Sequence, residues 1–421
     1  MHLCKDKKLR KKTEKMPFDV RSKSFVIALS TLLIAVAGCT QNISPAKSPE
    51  YTDVSEDVAP SSPEITAEAD RADQADEPEI STVIILDRKY DAGSEELDLS
   101  DMKPEDTYFV GKAISQMPNL KCVNLMSEES SALSVADVAF LKNSAPNVHF
   151  IYELDIYDTH ISTEDKEVSF VKKNIGNDGE KNIRRLLLIL DKCEYFLVDD
   201  CRIDDEIMAQ IRDDHPESKV VWRIHVGRKS ALTDDPIIRM THGINDSMTG
   251  PLKYCTEVVY MDLGHDGGIS DISFIENMPE LECLILSDAR VTDLTPLTGC
   301  HKLKWLELIS CGRIKNLQVI ADMDSIKYLN ISNARIKDIS GIWDMDLDRF
   351  SCIGNGIPEE TIDRYKEEHP DCMCAFSGNP YGYAWRYDDY GYHYFSYYAR
   401  MREVFRYDKG SPGGFKWPED E

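Results

Sequence analysis

Leu281-Glu-Cys-Leu-Ile-Leu-Ser-Asp-Ala-Arg-Val-Thr-Asp-Leu-Thr-Pro-Leu-Thr-Gly-Cys-His-Lys302 is followed by Leu303-Lys-Trp-Leu-Glu-Leu-Ile-Ser-Cys-Gly-Arg-Ile-Lys-Asn-Leu317, and the two align position for position from Leu281 to Ala289 and Leu303 to Cys311, with one extra residue in the second copy thereafter. A third copy begins Ile326-Lys-Tyr-Leu-Asn-Ile331, a fourth begins Leu347-Asp-Arg-Phe-Ser351, and a looser one opens at Val258-Val-Tyr-Met-Asp-Leu263. The units run 21 to 23 residues between Glu257 and Ile357, a period that marks a repeat architecture. A unit this short cannot bury its own apolar face, so neighbouring units must stack and share one core. Each opens with apolar residues spaced as in a strand buried on one side, which makes Leu284, Leu286, Leu306, Leu308, Leu329 and Ile331 core residues.

The pattern L-x-x-L-x-L-x-x-N/C-x-I/L, then D-I/L-x-x-I/L, resembles the leucine-rich repeat family, most closely its bacterial internalin-like class of 22-residue units. The resemblance implies an α/β solenoid, with a curved parallel sheet on the concave face and helices or 3-10 turns on the convex one. Cys311 stands at the family's Asn/Cys position. Asp271-Ile272, Asp293-Leu294 and Asp338-Ile339 turn the chain onto the convex side, and Asn316-Leu317 replaces the Asp in one unit.

Upstream the pattern loosens. Leu120 to Leu125 and Cys193 to Ile203 fit the strand template, helices are expected at Ser134 to Leu141 and Asp204 to Ile211, and each runs into a proline, Pro146 or Pro216, and a β-rich stretch. Residues 81–256 thus read as long irregular coils with small β-rich insertions; the alternative is a separate α/β domain over 81–250. A similar helix-proline ending, Glu359 to Pro370, closes the regular array, and residues 358–421 form a helix, a strand and an aromatic cap.

The amino terminus is of another kind. Residues 1–23 carry nine basic and three acidic side chains, followed by the apolar run Phe25 to Ala37. The run is short for a membrane span and lacks a stop-transfer charge cluster, so 1–38 reads as a signal peptide. Val36-Ala37-Gly38-Cys39 resembles the lipobox of bacterial lipoproteins, which implies lipid on Cys39 and a cell-membrane location facing the extracellular side. Residues 39–80 form an acidic Pro/Ser-rich tether, with eleven Asp/Glu and five Pro after Cys39 and too little apolar area to offset ordering entropy.

Of 421 residues, 49 are Lys or Arg and 75 Asp or Glu, a net charge of -26 that falls to -32 once 1–38 is removed. Nucleic-acid binding through a basic surface is excluded on that balance. No H-E-x-x-H, G-x-S-x-G, Walker loop or G-x-G-x-x-G is present, so no enzyme, cofactor or metal is expected. The run Asp262 to Gly268 lacks EF-hand order, and Cys372-Met-Cys374 stands without a second pair.

Binding has a place. Side chains alternating with the core leucines project from the concave sheet: Tyr260, Cys283, Trp305, Tyr328 and Arg349 in one row, Asp262, Ile285, Glu307, Asn330 and Ser351 in the next. Tyr260, Asp262, Trp305, Glu307, Tyr328, Asn330 and Arg349 are the candidate partner site, because aromatic and Arg anchors carry interface energy. The expected function is non-enzymatic recognition of a protein partner. The alternative is a glycan or cell-wall binder using the twelve rings between Tyr381 and Tyr407. Those rings are otherwise expected to cap the last coil, with a strand at Trp385 to Tyr387 and a helical turn at Met401 to Phe405.

Overall fold

A computed structural model describes residues 81–127, 133–388 and 392–407; the signal peptide, Cys39 and the tether lie outside them. The chain is α/β, with three parallel sheets separated by antiparallel hairpins. Strands β1 (Thr82–Ile85) and β2 (Arg88–Asp91) form the first hairpin, and β3 (Glu96–Asp98), β4 (Cys122–Asn124) and β5 (His149–Ile151) the first parallel sheet. Strands β6 (Glu153–Ile156) and β7 (Thr159–Ser162) make the second hairpin, before β8 (Glu167–Val171), β9 (Tyr195–Asp199) and β10 (Lys219–Val226). The third hairpin pairs β10 with β11 (Lys229–Leu232).

The β-rich stretches expected after Pro146 and Pro216 are β5 and β10, which pair in parallel with β4 and β9 and lead into the second and third hairpins. The turns of the first two hairpins are made by residues in the left-handed region, Leu86 and Asp87 in the first and Tyr157 and Asp158 in the second, which suits a two-residue turn between twisted strands. Helices Thr107–Ile114, Val135–Ser144, Glu180–Ile189 and Asp205–Asp214 return the chain between parallel strands. The second starts where Ser134 and Asp137 cap each other reciprocally: the Asp137 amide donates to Ser134 Oγ at 3.3 Å and the Ser134 amide to Asp137 Oδ2 at 2.8 Å.

The regular repeats build one seven-stranded parallel sheet: β12 (Ile237–Arg239), β13 (Tyr260–Asp262), β14 (Cys283–Ile285), β15 (Trp305–Glu307), β16 (Tyr328–Asn330), β17 (Arg349–Ser351) and β18 (Met373–Ala375). Leu284, Leu306, Leu329 and Phe350 face one another across it in register, each under 2% exposed. One apolar cluster runs without a break from Ile85 to Tyr365, so both halves of the described chain share a core.

Two polar devices shape each coil. The third residue after a strand is left-handed in six successive coils: His242, His265, Asp288, Ser310, Asn333 and Gly354. At four of them, His265, Asp288, Ser310 and Asn333, the amide donates to the next coil's carbonyl at 2.7–2.8 Å. Only glycine fits at 354, where a Cβ would come within 2.2 Å of Asn333 Oδ1. On the return side, Asp271, Asp293 and Asp338 each accept the amide two residues on at 2.8–2.9 Å, and Asn316 does so at 2.7 Å. The turn needs only a side-chain oxygen, which is why Asn316 replaces Asp without disturbing the coil. Cys311 is buried and its thiol donates to the Leu286 carbonyl at 3.1 Å.

The aromatic tail departs from expectation. Tyr383–Arg386 is a helical turn rather than a strand and lies against the strands of the last coil, β17 and β18, and Ser396–Val404 is a helix. That coil is already closed: β18 pairs with β17, and helix Glu359–Glu368 inserts Tyr365, fully buried, beside Trp343 and Phe350. The rings of the tail instead find their apolar counterpart on the sheet.

Candidate functional site

The strand registers bring the two expected rows together. Tyr260, Cys283, Trp305, Tyr328 and Arg349 are successive partners across β13 to β17, and so are Asp262, Ile285, Glu307, Asn330 and Ser351. Side chains alternate between sheet faces, so with the leucines on the core side both rows emerge opposite. They are not open to solvent: Tyr260, Trp305 and Asn330 are fully buried, Asp262, Glu307 and Arg349 are under 10% exposed, and Tyr328 is half-buried.

What covers them is the chain itself. Trp385 lies on Trp305 with ring centres 4.1 Å apart, and Tyr397 stacks on the same indole at 5.8 Å with planes 8° apart. Tyr397 also stacks on Tyr328 at 4.9 Å, and Phe405 meets Tyr260 edge-on at 6.1 Å. The Arg349 guanidinium sits 3.8 Å from the centre of the Phe395 ring. The physical reason is plain: a ladder of large rings on a sheet is an exposed apolar patch, and the densest run of rings in the chain is tethered close to it.

The polar contacts are specific. Trp385 Nε1 donates to Glu307 Oε2 at 2.7 Å, Ser287 Oγ donates to Oε1 of the same carboxylate at 2.8 Å, and Arg386 approaches Oε1 at 4.0 Å. Tyr407 donates its hydroxyl to Asp262 Oδ2 at 2.9 Å. Three main-chain carbonyls of the tail are held by the sheet: Pro380 by Asn330 Nδ2 at 3.0 Å, Tyr387 by Arg349 at 2.8 Å and Phe405 by Arg239 at 3.1 Å. Burial raises the Glu307 carboxyl above the ordinary carboxylate range against the pull of Arg386, Trp385 and Ser287. Burial likewise raises Asp262, opposed by the Gly264 amide and the Tyr407 hydroxyl.

All seven candidate residues therefore share one face, and Arg239 belongs with them although its strand lies before the first regular unit. The signal that could have found it is positional, since Arg239 pairs with Asp262 as the next rung of the second row. Among the described residues no group of three or more His, Cys, Asp or Glu is placed to hold a metal ion, and no helix is long and apolar enough to cross a membrane. The ten described cysteines are free thiols.

A scan of protein-family models and a search of curated proteins find no match to this chain. Among solved structures it is similar to an internalin of Listeria monocytogenes, at 18% identity over 64% of this chain and 78% of that one, with a TM-score of 0.32. It is also similar to internalin C2 of the same organism, at 13% over 36% and 80% with a TM-score of 0.28. A chain of the octameric complex of Latrophilin 3, Unc5D and FLRT2 matches at 16% over 61% and 84%, with a TM-score of 0.30. At these values none of the likenesses bears on the site, and the architecture rests on the repeat spacing and the strand registers.

Proposed function

We propose that this is an exported leucine-rich repeat protein, lipid-anchored through Cys39 at the outer side of the cell membrane, that recognises a polypeptide on its concave sheet without chemical turnover. The observation that carries the reading is the manner in which the sheet holds residues 380–388 and 392–407. It grips a polypeptide segment by its main-chain carbonyls through Asn330, Arg349 and Arg239, and by its side chains through Glu307, Asp262 and the Trp305 ring. Main-chain contacts with side-chain anchors between them are how proteins read peptides. Aromatic and Arg residues at the centre are those that dominate binding energy. The export and lipidation part of the reading is supported by the residues before Thr40.

The glycan reading is less favoured, because Trp385, Tyr398 and Phe405 are turned to the sheet and buried, while Tyr392 and Tyr394 stay exposed. The test is capture from envelope extract with the unit 75–421, beside Trp305→Ala, Tyr328→Ala. A captured protein is identified by mass spectrometry, purified and rebound. Binding that disappears with the double substitution, while circular dichroism is unchanged, supports the recognition reading; binding that survives it refutes the face as the site.

A further inference from the structure

Between the sheet and the tail lies a hydrophobic cluster of its own. Tyr260, Cys283, Ile285 and Trp305 pack with Trp385, Tyr398, Met401, Val404 and Phe405, apart from the continuous core that runs from Ile85 to Tyr365. The leucines that join coil to coil therefore keep their contacts whether or not the tail is seated. Units with separate clusters open separately.

The fit between the two is also incomplete. The indole N–H of Trp305 and the Nε–H of Arg386 are buried with no acceptor among the described residues. Both sit in the contact between sheet and tail, where Arg386 approaches Glu307 at 4.0 Å and Trp305 lies under Trp385. An orphaned buried donor weakens an association by the desolvation it does not recover. Displacement returns the Arg386 Nε–H to water, and a ligand that offers the Trp305 N–H an acceptor gains a bond that the tail does not make.

We propose that residues 380–407 are a displaceable internal ligand, and that the external polypeptide which replaces them presents the same anchor: an aromatic N–H donor next to a cation, seated on Glu307. The pair Trp385-Arg386 is the template, one side chain donating to the carboxylate at 2.7 Å and the other facing it at 4.0 Å. This rests on the recognition reading above and adds the chemistry of the partner and the state of the free face. Tethering holds the internal segment at an effective concentration on the order of millimolar, so the tail sets a threshold that an outside ligand must exceed.

Two measurements on the full chain test it. In native-state hydrogen exchange, the amides of helix Ser396–Val404 are expected to exchange about 100-fold or more faster than those of β14 to β16. In fluorescence anisotropy, a labelled peptide of residues 379–407 is expected to bind the Trp385→Ala, Phe405→Ala variant about tenfold or more tightly than the parent, whose face is filled. The same peptide carrying Trp385→Ala or Arg386→Ala should bind that variant about tenfold more weakly than the unaltered peptide. Equal exchange in helix and strands overturns the proposal while leaving the recognition reading to its own capture test. Equal binding of the peptide by parent and variant, or indifference to the anchor substitutions, overturns it as well.

Discussion

Glu307→Gln removes one charge from beneath the tail and keeps the shape of the side chain. Two terms of opposite sign are at stake. The carboxylate faces Arg386 at 4.0 Å, an attraction of about 4 kcal/mol at the effective dielectric of a protein site. Against it stands the desolvation of a carboxylate only 2% exposed, several kcal/mol for an ion taken out of water. Burial is the larger, since the carboxyl is raised above its ordinary 4.5. The folded state then binds the Glu307 proton more tightly than the unfolded one. The Glu307 contribution to stability is greatest below about 4.5 and falls as pH rises from there to the raised value, by up to about 1.4 kcal/mol for each pH unit of that window, and is level above it. Glutamine carries no proton to lose, and its carbonyl oxygen still accepts from Trp385. The variant is therefore expected to match or exceed the parent at pH 8 and to lose the Glu307 part of the slope, while other shifted carboxyls, among them Asp262, Asp205 and Asp235 raised by burial and Glu164 and Asp246 lowered by hydrogen bonds, act alike in both proteins. Urea unfolding of both proteins between pH 4.5 and 8 measures this. A parent that gains stability with rising pH, through a slope that glutamine abolishes, would show that the ion pair with Arg386 outweighs burial, and the reasoning would be wrong.

Leu306→Ala takes a fully buried side chain from the middle of the shared core and should lower the unfolding free energy by about 2–5 kcal/mol in the same assay. Asp293→Ala deletes the oxygen that holds the Thr295 amide and should destabilise by about 1 kcal/mol, whereas Asn316→Asp should be neutral within about 0.5 kcal/mol, since either side chain supplies the acceptor. Thiol alkylation of the native chain, read by mass spectrometry, should label Cys374 first. That thiol is half-buried and its pKa is lowered by the Cys372 hydrogen bond, while Cys255, Cys311 and Cys352 are buried with pKa values pushed up to about 12 and should label only on unfolding. Early labelling of Cys311 would mean that the regular coils open far more readily than their packing implies.

The regular coils were legible because each depends on few residues acting locally: a leucine every second position of a strand and an oxygen-bearing side chain to turn the return segment. The helices after Ser134 and Asp204 were legible for the same reason, since caps and apolar spacing are local. The first two hairpins were not legible, because their left-handed turns at Leu86-Asp87 and Tyr157-Asp158 use residues without the Asn-Gly signature. For the site, the two rows on the sheet followed from register, and the aromatic tail was conspicuous by composition. Their meeting was not legible. Trp385 and Glu307 are 78 residues apart, and no periodic pattern links a strand in a repeat to a segment outside it. The tail's demand for an apolar surface could be met equally by the end of the last coil or by the ladder, and only the packing of Tyr365 against that end decides between them.

The left-handed residue after each strand bears on how such a chain can change length. Where Asp288, Ser310 and Asn333 each reach the next coil, the rim of the sheet is pinned by torsion and by one amide donated across the gap. On the return side the oxygen-capped turns at Asp293, Asn316 and Asp338 close on their own coils, and the bonds between coils vary from place to place, as from the Asp271 amide to Asp246 and from the Ile336 amide to Asn355. Units of 21, 22 and 23 residues can therefore sit side by side with their strands in register, the difference being taken up away from the ladder. A residue gained or lost on the return side leaves the spacing of Trp305, Tyr328 and Arg349 unchanged, whereas one inserted between strand and rim shifts every rung beyond it.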